Sequence, residues 1–273
     1  MRKIFVRKNT MLALGITFTT IVALMAILAG IVSPHDYTKQ SLPNSLKPPF
    51  WVKGGSWSHP LGTDHLGRDL LTRVLYGARV SLFVGVGSVL IASAIGIILG
   101  LVSGFYGGWI DSFIMRVADI QLSFPPIFLC IAMMAFIPPS VVTLILVLGV
   151  VTWVQFGRVS RGSTLSVKEK EFVEAARSLG TSNLKIMWRH ILPNILSPIV
   201  VIATVSMSWM ILAEAGLSFL GLGVQPPTPA WGSMLSEGRT YFRIAWWYAT
   251  FPGVAIFITV LGLNMLGDGL RRL

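Results

Sequence analysis

Residues 80–110 read VSLFVGVGSVLIASAIGIILGLVSGFYGGWI and contain no charged side chain. A helix of about 20 apolar residues is long enough to cross the hydrocarbon core of a bilayer. The whole chain of 273 residues is 53% hydrophobic and only 12% charged, whereas a soluble domain carries about 25% charged residues. The stretch therefore predicts a transmembrane helix, and the composition indicates that lipid surrounds much of the chain.

Other uncharged stretches predict further spans. Residues 120–157 are too long for one helix, and Pro138-Pro139 divides them because adjacent prolines end helices. Helices are favoured over barrel strands, since the alternating pattern of a barrel strand is missing and backbone polar groups in lipid must be bonded internally. The predicted fold class is an all-α membrane protein with about six spans, at residues 9–34, 80–110, 120–137, 140–157, 191–213 and 244–267.

The positions of Lys and Arg predict the orientation of these spans. If both termini lie on one side, that side carries 14 basic residues and the other carries 8. Basic segments stay in the cytoplasm, so both termini are predicted there. A cleaved signal peptide is an alternative for residues 1–34, but its apolar core would be too long. The net charge of +11 does not indicate nucleic-acid binding, because the basic residues lie between apolar blocks and form no single patch.

The polar segment at residues 35–79 is predicted outside. Prolines and tryptophans in its first half indicate an irregular loop near the lipid interface. Residues 59–69 follow with the sequence HPLGTDHLGRD, in which Thr63 could cap a helix. Leucine and valine side chains C-terminal to Thr63 form one apolar face, which predicts an amphipathic helix on the outer membrane surface that leads into the second span. The face comprises Leu66, Leu70, Leu71, Val74 and Leu75. The i,i+4 ion pairs expected in this helix are Asp64 with Arg68 and Asp69 with Arg73.

This segment allows two interpretations, a metal site or a plain loop. His59, Asp64 and His65 are residue types that bind metals. A capped, solvated loop is the favoured interpretation, because no second cluster of ligands is present. The single cysteine, Cys130, excludes an intrachain disulfide and a cysteine zinc site, and its apolar neighbours indicate a buried thiol. The sequence therefore predicts no metal site.

The segment between the fourth and fifth spans, residues 158–193, predicts a helix-turn-helix. Ser166-Val167-Lys168-Glu169 fits a capping box for a first helix that ends at Leu179. Gly180 follows where a helix end requires a positive φ. A second helix closed by Pro193 carries an apolar stripe, which would either lie on lipid or dock a cytoplasmic partner. The stripe comprises Leu184, Met187, Trp188, Ile191 and Leu192.

The same segment carries the pattern EAA-x3-G-x11-LP, which resembles the EAA loop of ABC importer permeases. In that family the loop inserts into a groove on the ATPase subunit. The resemblance implies a type I importer permease architecture, with the loop at about residues 163–194. The residues implied in coupling to the ATPase are Glu174, Ala175, Ala176, Gly180, Leu192 and Pro193.

Further motifs resemble the C-type permease of dipeptide and oligopeptide systems, and the resemblance covers about residues 59–273. Glutathione and nickel systems share these motifs, so all three substrates stay open. The domains expected are residues 1–34 with the first span, 35–79 outside, and a permease core at 80–273. The motifs lie at residues 62–69, 104–108, 116–119, 213–223 and 267–271.

The resemblance also implies partners and location. The partners are a homologous second permease, two cytoplasmic ATPase subunits that bind ATP and magnesium, and an extracytoplasmic substrate-binding protein. The last would contact residues 35–79 or the turn-rich segment at 221–243. The expected location is a bacterial or archaeal cytoplasmic membrane, with lipid around the chain. The chain itself is expected to bind no cofactor and no nucleic acid.

Polar and small residues at membrane depth give weaker signals. Gly96, Gly100 and Gly104 would let another helix approach closely. Pro125-Pro126 should kink the third span. Glu214 could reach the outer interface or pair with an outer arginine, either Arg239 or Arg243. Asp111, Arg116 and Asp119, which flank the third span, are expected to pair with one another. The candidates for a translocation path are Ser206, Ser208 and Glu214.

Missing motifs decide the class of protein. The sequence has no G-x-x-x-x-G-K-[ST] phosphate loop and no recognisable hydrolase or zinc-protease motif. An intramembrane enzyme would need a nucleophile and a base at depth, and the spans contain no His or Lys to serve as that base. The chain is therefore predicted not to be an enzyme. A secondary transporter without an ATPase is the alternative from another class, and copurification of an ATPase subunit would distinguish the two.

Overall fold

A computed structural model describes residues 2–271, with the backbone alone for residues 2–9. Within that range the regular structure is helical, apart from one isolated bridge between Thr63 and Asp69. A short 3-10 turn covers Leu42–Asn44 and a π-helical stretch covers Ile186–Ile191. The α-helices are α1 (Arg2–Val32), α2 (Leu70–Tyr106), α3 (Gly108–Leu122), α4 (Pro126–Phe136), α5 (Val141–Lys168), α6 (Glu171–Ser178), α7 (Asn183–Lys185), α8 (Leu192–Phe219), α9 (Trp231–Tyr241) and α10 (Trp246–Arg271).

The described helices confirm the prediction of about six spans. Five are long and apolar enough to cross a membrane, and α3 with α4 forms a sixth candidate that is bent by 85°. The kink predicted at Pro125-Pro126 is thus a complete break. The reason is that Pro126 begins α4 at a position where its missing N–H costs no helical hydrogen bond. Pro138-Pro139 separates α4 from α5 as predicted.

The close helix approach predicted from the glycine spacing is confirmed. A Cβ atom added at Gly96 or Gly100 would overlap the α5 backbone around Gly157, and one added at Gly104 would lie 2.8 Å from Thr164 Cβ. Side chains at these positions would push α5 away from α2. The two helices therefore form a tightly packed pair at the centre of the bundle.

The second helix of the bundle begins earlier than the sequence predicts. Asp69 is the N-cap of α2, and its carboxylate accepts a hydrogen bond from the Thr72 N–H at 2.8 Å. Leu70 and Val74 are buried in the first turns of α2, so they do not lie on a membrane surface. The span that is predicted to begin at Val80 belongs to a helix that begins ten residues earlier, at Leu70.

The amphipathic helix predicted from Thr63 to Leu75 is wrong over residues 64–69, and its helical part begins only at Leu70 as the first turn of α2. Gly62 and Gly67 adopt φ values of +83° and +71°, which break a right-handed helix. The Asp64 carboxylate accepts hydrogen bonds from the backbone N–H groups of Leu66 at 2.8 Å and Arg68 at 2.9 Å. Such local side-chain bonds stabilise turns in competition with helices. The segment is a folded loop that packs against α10 through Gly62 and Trp247.

Buried charges fasten this loop to the bundle. Asp64 accepts hydrogen bonds from Arg68 and from Arg73 of α2, each at 2.6 Å, and Arg73 also lies 3.2 Å from Glu237 of α9. The predicted pair of Asp64 with Arg68 is confirmed, although it forms in a turn. The predicted pair of Asp69 with Arg73 is wrong, because Asp69 caps α2 and bonds His59 instead.

Ion pairs at the other end of the bundle join α3 to α5. Asp111 accepts two hydrogen bonds from Arg161 at 2.5 and 2.6 Å, and Asp119 accepts one from Arg158 at 2.6 Å. The expectation that Asp111, Arg116 and Asp119 pair with one another is wrong. These three residues share α3, whereas the arginines of α5 face it from the neighbouring helix.

Two more features differ from the sequence prediction. Pro193 does not close the second helix of the helix-turn-helix, because it occupies the first turn of α8, where proline is tolerated. The segment at residues 221–243 contains α9, whose Trp231 is fully buried and donates its ring N–H to the Val74 carbonyl at 2.9 Å. Cys130 is buried in α4 as predicted.

Candidate functional site

The segment between α5 and α8, residues 171–191, is the candidate functional site and is called the 171–191 segment below. The capping box predicted at Ser166 is wrong, because α5 continues through Lys168 and keeps Ser166 and Val167 in its last turns. The first helix of the segment, α6, begins at Glu171 after Lys170, which makes no side-chain cap. Two acidic residues in its first turn, Glu171 and Glu174, stabilise the helix because their negative charges lie near the positive end of its dipole.

The end of α6 has the geometry that the sequence predicts. Gly180 adopts a φ of +77°. The Thr181 N–H donates to the Ala176 carbonyl at 3.1 Å and the Gly180 N–H donates to the Arg177 carbonyl at 3.0 Å. This pair of bonds is the Schellman motif, in which glycine avoids the strain of a left-handed backbone. The chain therefore reverses at Gly180 in a defined turn.

The second half of the segment runs into the fifth span without a break. A short α7 leads into the π-helical stretch, where the Leu192 N–H donates to the Met187 carbonyl five residues earlier. The apolar stripe predicted here is divided between two environments. Met187 and Ile191 are buried, whereas Leu184 and Trp188 are exposed.

A buried face anchors the segment to the bundle. Its apolar side chains pack in one cluster with Leu101 of α2, Phe156 of α5 and Ile195 of α8. A movement of the segment would therefore be transmitted directly to three spans, α2, α5 and α8. The anchoring side chains are Val173, Ala176, Ile186, Met187 and Ile191.

Other positions of the segment expose large apolar side chains among charged ones. The exposed fractions are 41% for Phe172, 86% for Leu179, 63% for Leu184 and 49% for Trp188. Phe172 and Leu179 were missed by the sequence analysis, although their spacing of seven residues places them on one helix face. We call these four residues the apolar face of the segment.

The predicted coupling residues occupy both sides of this arrangement. Glu174 and Ala175 are exposed, whereas Ala176 is buried against the bundle. Glu174 lines a polar pocket of about 320 Å³ with Lys168 and Arg177. Leu192 and Pro193 lie at the junction with α8. The structure therefore leaves Glu174, Ala175 and Gly180 exposed and buries Ala176 against the bundle. Leu192 is half-buried and Pro193 exposed at the start of α8.

The candidates for a translocation path lie inside the packing of the chain. Glu214 is fully buried and accepts hydrogen bonds from Ser81 of α2 at 3.0 Å and Ser218 at 2.8 Å. The expected pair with Arg239 or Arg243 is therefore wrong, because Glu214 faces α2. Ser206 and Ser208 are also buried, with their hydroxyls 3.5 Å from Gln155 and from the Thr204 carbonyl.

The sequence matches two family descriptions. Residues 96–273 match the binding-protein-dependent transport system inner membrane components. Residues 5–49 match the N-terminal transmembrane domain of oligopeptide transport permease C. Together the two matches include α1 from residue 5, the last part of α2 from Gly96, and every helix from α3 to α10.

Relatives with similar sequences are transport permeases. The di/tripeptide permease DppC of Pseudomonas aeruginosa is 41% identical over 94% of this chain and 85% of its own length. The dipeptide permease DppC of Alkalihalophilus pseudofirmus is 43% identical over 97% of this chain and 85% of its own. The glutathione permease GsiD of Escherichia coli O6:K15:H31 is 43% identical over 97% and 86%.

The fold has a counterpart among solved structures. A chain of the MetNI methionine ABC transporter, in an inward-facing conformation, superposes with a TM-score of 0.60 at 20% identity, covering 73% of this chain and 95% of that one. At this identity the likeness shows the fold alone. The family matches and the relatives place the chain in the inner membrane as a transport subunit. The chain belongs to the binding-protein-dependent transport system inner membrane components and is an ABC permease of the dipeptide type.

Proposed function

We propose that the chain is one of two permease subunits of an ABC importer for di- or oligopeptides. The observation that carries the proposal is the 41% to 43% identity, over at least 94% of the chain, to permeases named for dipeptides or for di- and tripeptides. Glutathione, itself a tripeptide, is the second candidate, because permeases named for it match equally well. Nickel, also open from the motifs, is the third.

We propose the cytoplasm as the location of both termini and of the 171–191 segment. The distribution of 14 basic residues on that side and 8 on the other supports this orientation. It puts the folded loop at residues 59–69 and α9 outside. A substrate-binding protein would then approach the end of the bundle that these two elements form.

The 171–191 segment would dock the ATPase subunit. Its apolar face, with Glu174 beside it, offers exposed side chains of the kind that form interface cores. Its buried face contacts three spans, so a movement of the ATPase would be transmitted to the bundle. ATP and magnesium would be bound by the ATPase subunits, and this chain would contribute no catalytic group.

The translocation path would form between this chain and a second, homologous permease. An apolar groove of about 590 Å³ supports this placement, since it opens beside α8 and is lined by Trp209, Leu212 and Phe219. Ser206, Ser208 and Glu214 remain candidates for the path, and they would reach it only if α8 moves relative to α2 and α5 during transport.

Uptake by the assembled transporter tests the proposal. The chain would be coexpressed with the permease, ATPase and binding-protein genes next to it, and reconstituted in vesicles. We expect ATP-dependent uptake of a labelled dipeptide that unlabelled di- and tripeptides compete away. Uptake of glutathione alone, or of nickel alone, would replace the peptide assignment. Uptake without ATP or an ATPase subunit would contradict the proposal as a whole.

A further inference from the structure

Three residues from separate parts of the chain meet beside the N-terminal end of α2. His35 follows the end of α1, His59 lies in the folded loop, and Asp69 caps α2. One ring nitrogen of each histidine and one carboxylate oxygen of Asp69 all lie within 4.8 Å of one another. The two imidazole rings are 4.6 Å apart between centroids. These residue types are typical ligands of a divalent transition metal.

This group is not the one that the sequence suggested as a possible metal site. His65 lies away from His59, with its Nδ1 3.1 Å from the Tyr248 hydroxyl. The Asp64 carboxylate is occupied by Arg68 and Arg73. His35 is 24 residues from His59 in the chain, so only the fold brings them together.

The hydrogen bonds within the group leave one buried nitrogen atom, Nδ1 of His35, without a partner among the described residues. One Asp69 oxygen accepts hydrogen bonds from the Thr72 N–H and hydroxyl, both at 2.8 Å, and the other lies 3.0 Å from His59 Nδ1. The His35 Nδ1 atom is buried and has no hydrogen-bond partner among the described residues. A buried polar atom without a partner is costly, and a bound cation would satisfy it. For His59 and Asp69 both to bind a metal, bonds to the ion would replace their present 3.0 Å hydrogen bond.

We propose that His35, His59 and Asp69 form a binding site for a divalent transition metal of the zinc type. Zinc bonds of about 2.0–2.1 Å hold tetrahedral ligands about 3.3 Å apart, so the group must contract slightly. His35 is only partly buried and can rotate to do so. Two imidazoles favour zinc, nickel or copper over calcium or magnesium. Bound metal would tie the end of α1 to the start of α2.

Metal binding to the untagged full-length chain in detergent tests this site, with zinc as the probe and isothermal titration and thermal unfolding as readouts. We expect one zinc ion per chain and an unfolding temperature that rises with zinc. His35→Ala should weaken zinc binding at least tenfold and abolish the rise. His190→Ala, which removes a histidine from the 171–191 segment, should change neither readout.

A second metal guards against a variant that fails to fold. Cobalt bound by His35, His59 and Asp69 in four-coordinate geometry should give visible absorption bands, which His35→Ala removes from a chain with an unchanged helical spectrum. Zinc affinity that is equal in the parent and in His35→Ala would overturn the proposal. So would the absence of stoichiometric zinc and cobalt binding, in which case the three residues form only a hydrogen-bonded cluster.

Discussion

The two ends of the bundle differ in how they arrange their charged side chains. At the end formed by residues 59–69 and α9, Asp64 is 0% exposed and two arginines bond it. At the end that carries the 171–191 segment, the ion pair of Arg158 with Asp119 is 52% and 60% exposed, and Leu179 is 86% exposed. The first end buries its ion pairs within the chain. The second leaves both charges and apolar surface available to a partner.

Removing one charge at each end gives the largest expected difference. Asp64→Asn leaves the buried Arg68 and Arg73 with Glu237 alone as their counter-charge and should cost about 3–5 kcal/mol of stability. Asp119→Asn is the matched control, and loss of its exposed pair should cost less than about 1 kcal/mol. Thermal unfolding in detergent compares them. Equal shifts would show that the two ends do not differ in this way.

Truncating one exposed leucine at each end tests for a docking surface. Leu179→Ser should weaken binding of the ATPase subunit by at least about tenfold, because exposed apolar anchors dominate interface energies. Leu42→Ser, at a residue that is also largely exposed but lies in the loop before α2, should leave ATPase binding unchanged. Neither should alter the unfolding temperature. A similar loss of ATPase binding in both variants would remove the distinction between the ends.

The turn in the 171–191 segment predicts a smaller, local effect. Gly180→Ala forces a Cβ atom onto a backbone with a φ of +77° and should cost about 1 kcal/mol. Gly162→Ala is the control, because Gly162 lies within α5 and an added Cβ meets no described atom within 4 Å. Hydrogen exchange should become faster at residues 171–181 in the first variant only. Unchanged exchange would mean that the turn stores no strain.

Single cysteines should perturb the protein least and report the orientation of both ends. In a Cys130→Ala background, Lys53→Cys should react with an impermeant reagent from outside, and Ser182→Cys only after the membrane is opened. Both positions are exposed. Trp231, which the topology also places outside, is unsuitable because it is fully buried. Labelling in the reverse order would invert the proposed topology.

Features that depend on neighbouring residues could be predicted from the sequence. The spans follow from uncharged runs, the close approach of another helix to α2 from glycines four residues apart, and the turn at Gly180 from a glycine at the predicted end of a short helix. The main outline of the fold and the location of the candidate site were therefore accessible. Phe172 and Leu179 could have been found from their spacing.

Features that depend on contacts between distant elements could not be predicted. The i,i+4 rule suggested Arg73 as the partner of Asp69, but the fold places Arg73 against Asp64 and Glu237. The capping box at Ser166 failed because the packing of α5 extends that helix beyond it. The meeting of His35 with His59 likewise depends on where α1 ends relative to a loop.

Coupling of the ATPase subunit to the spans through the 171–191 segment is tested most directly by transport measured at equal membrane abundance. Glu174→Lys and Gly180→Val would be compared with Asp36→Lys, a charge reversal on the loop that follows α1. Transport and copurification of the ATPase would be measured for each. We expect normal insertion in all three variants, with transport lost and ATPase association or coupling weakened only in the first two. Normal transport and normal complex yield in Glu174→Lys and Gly180→Val would contradict it.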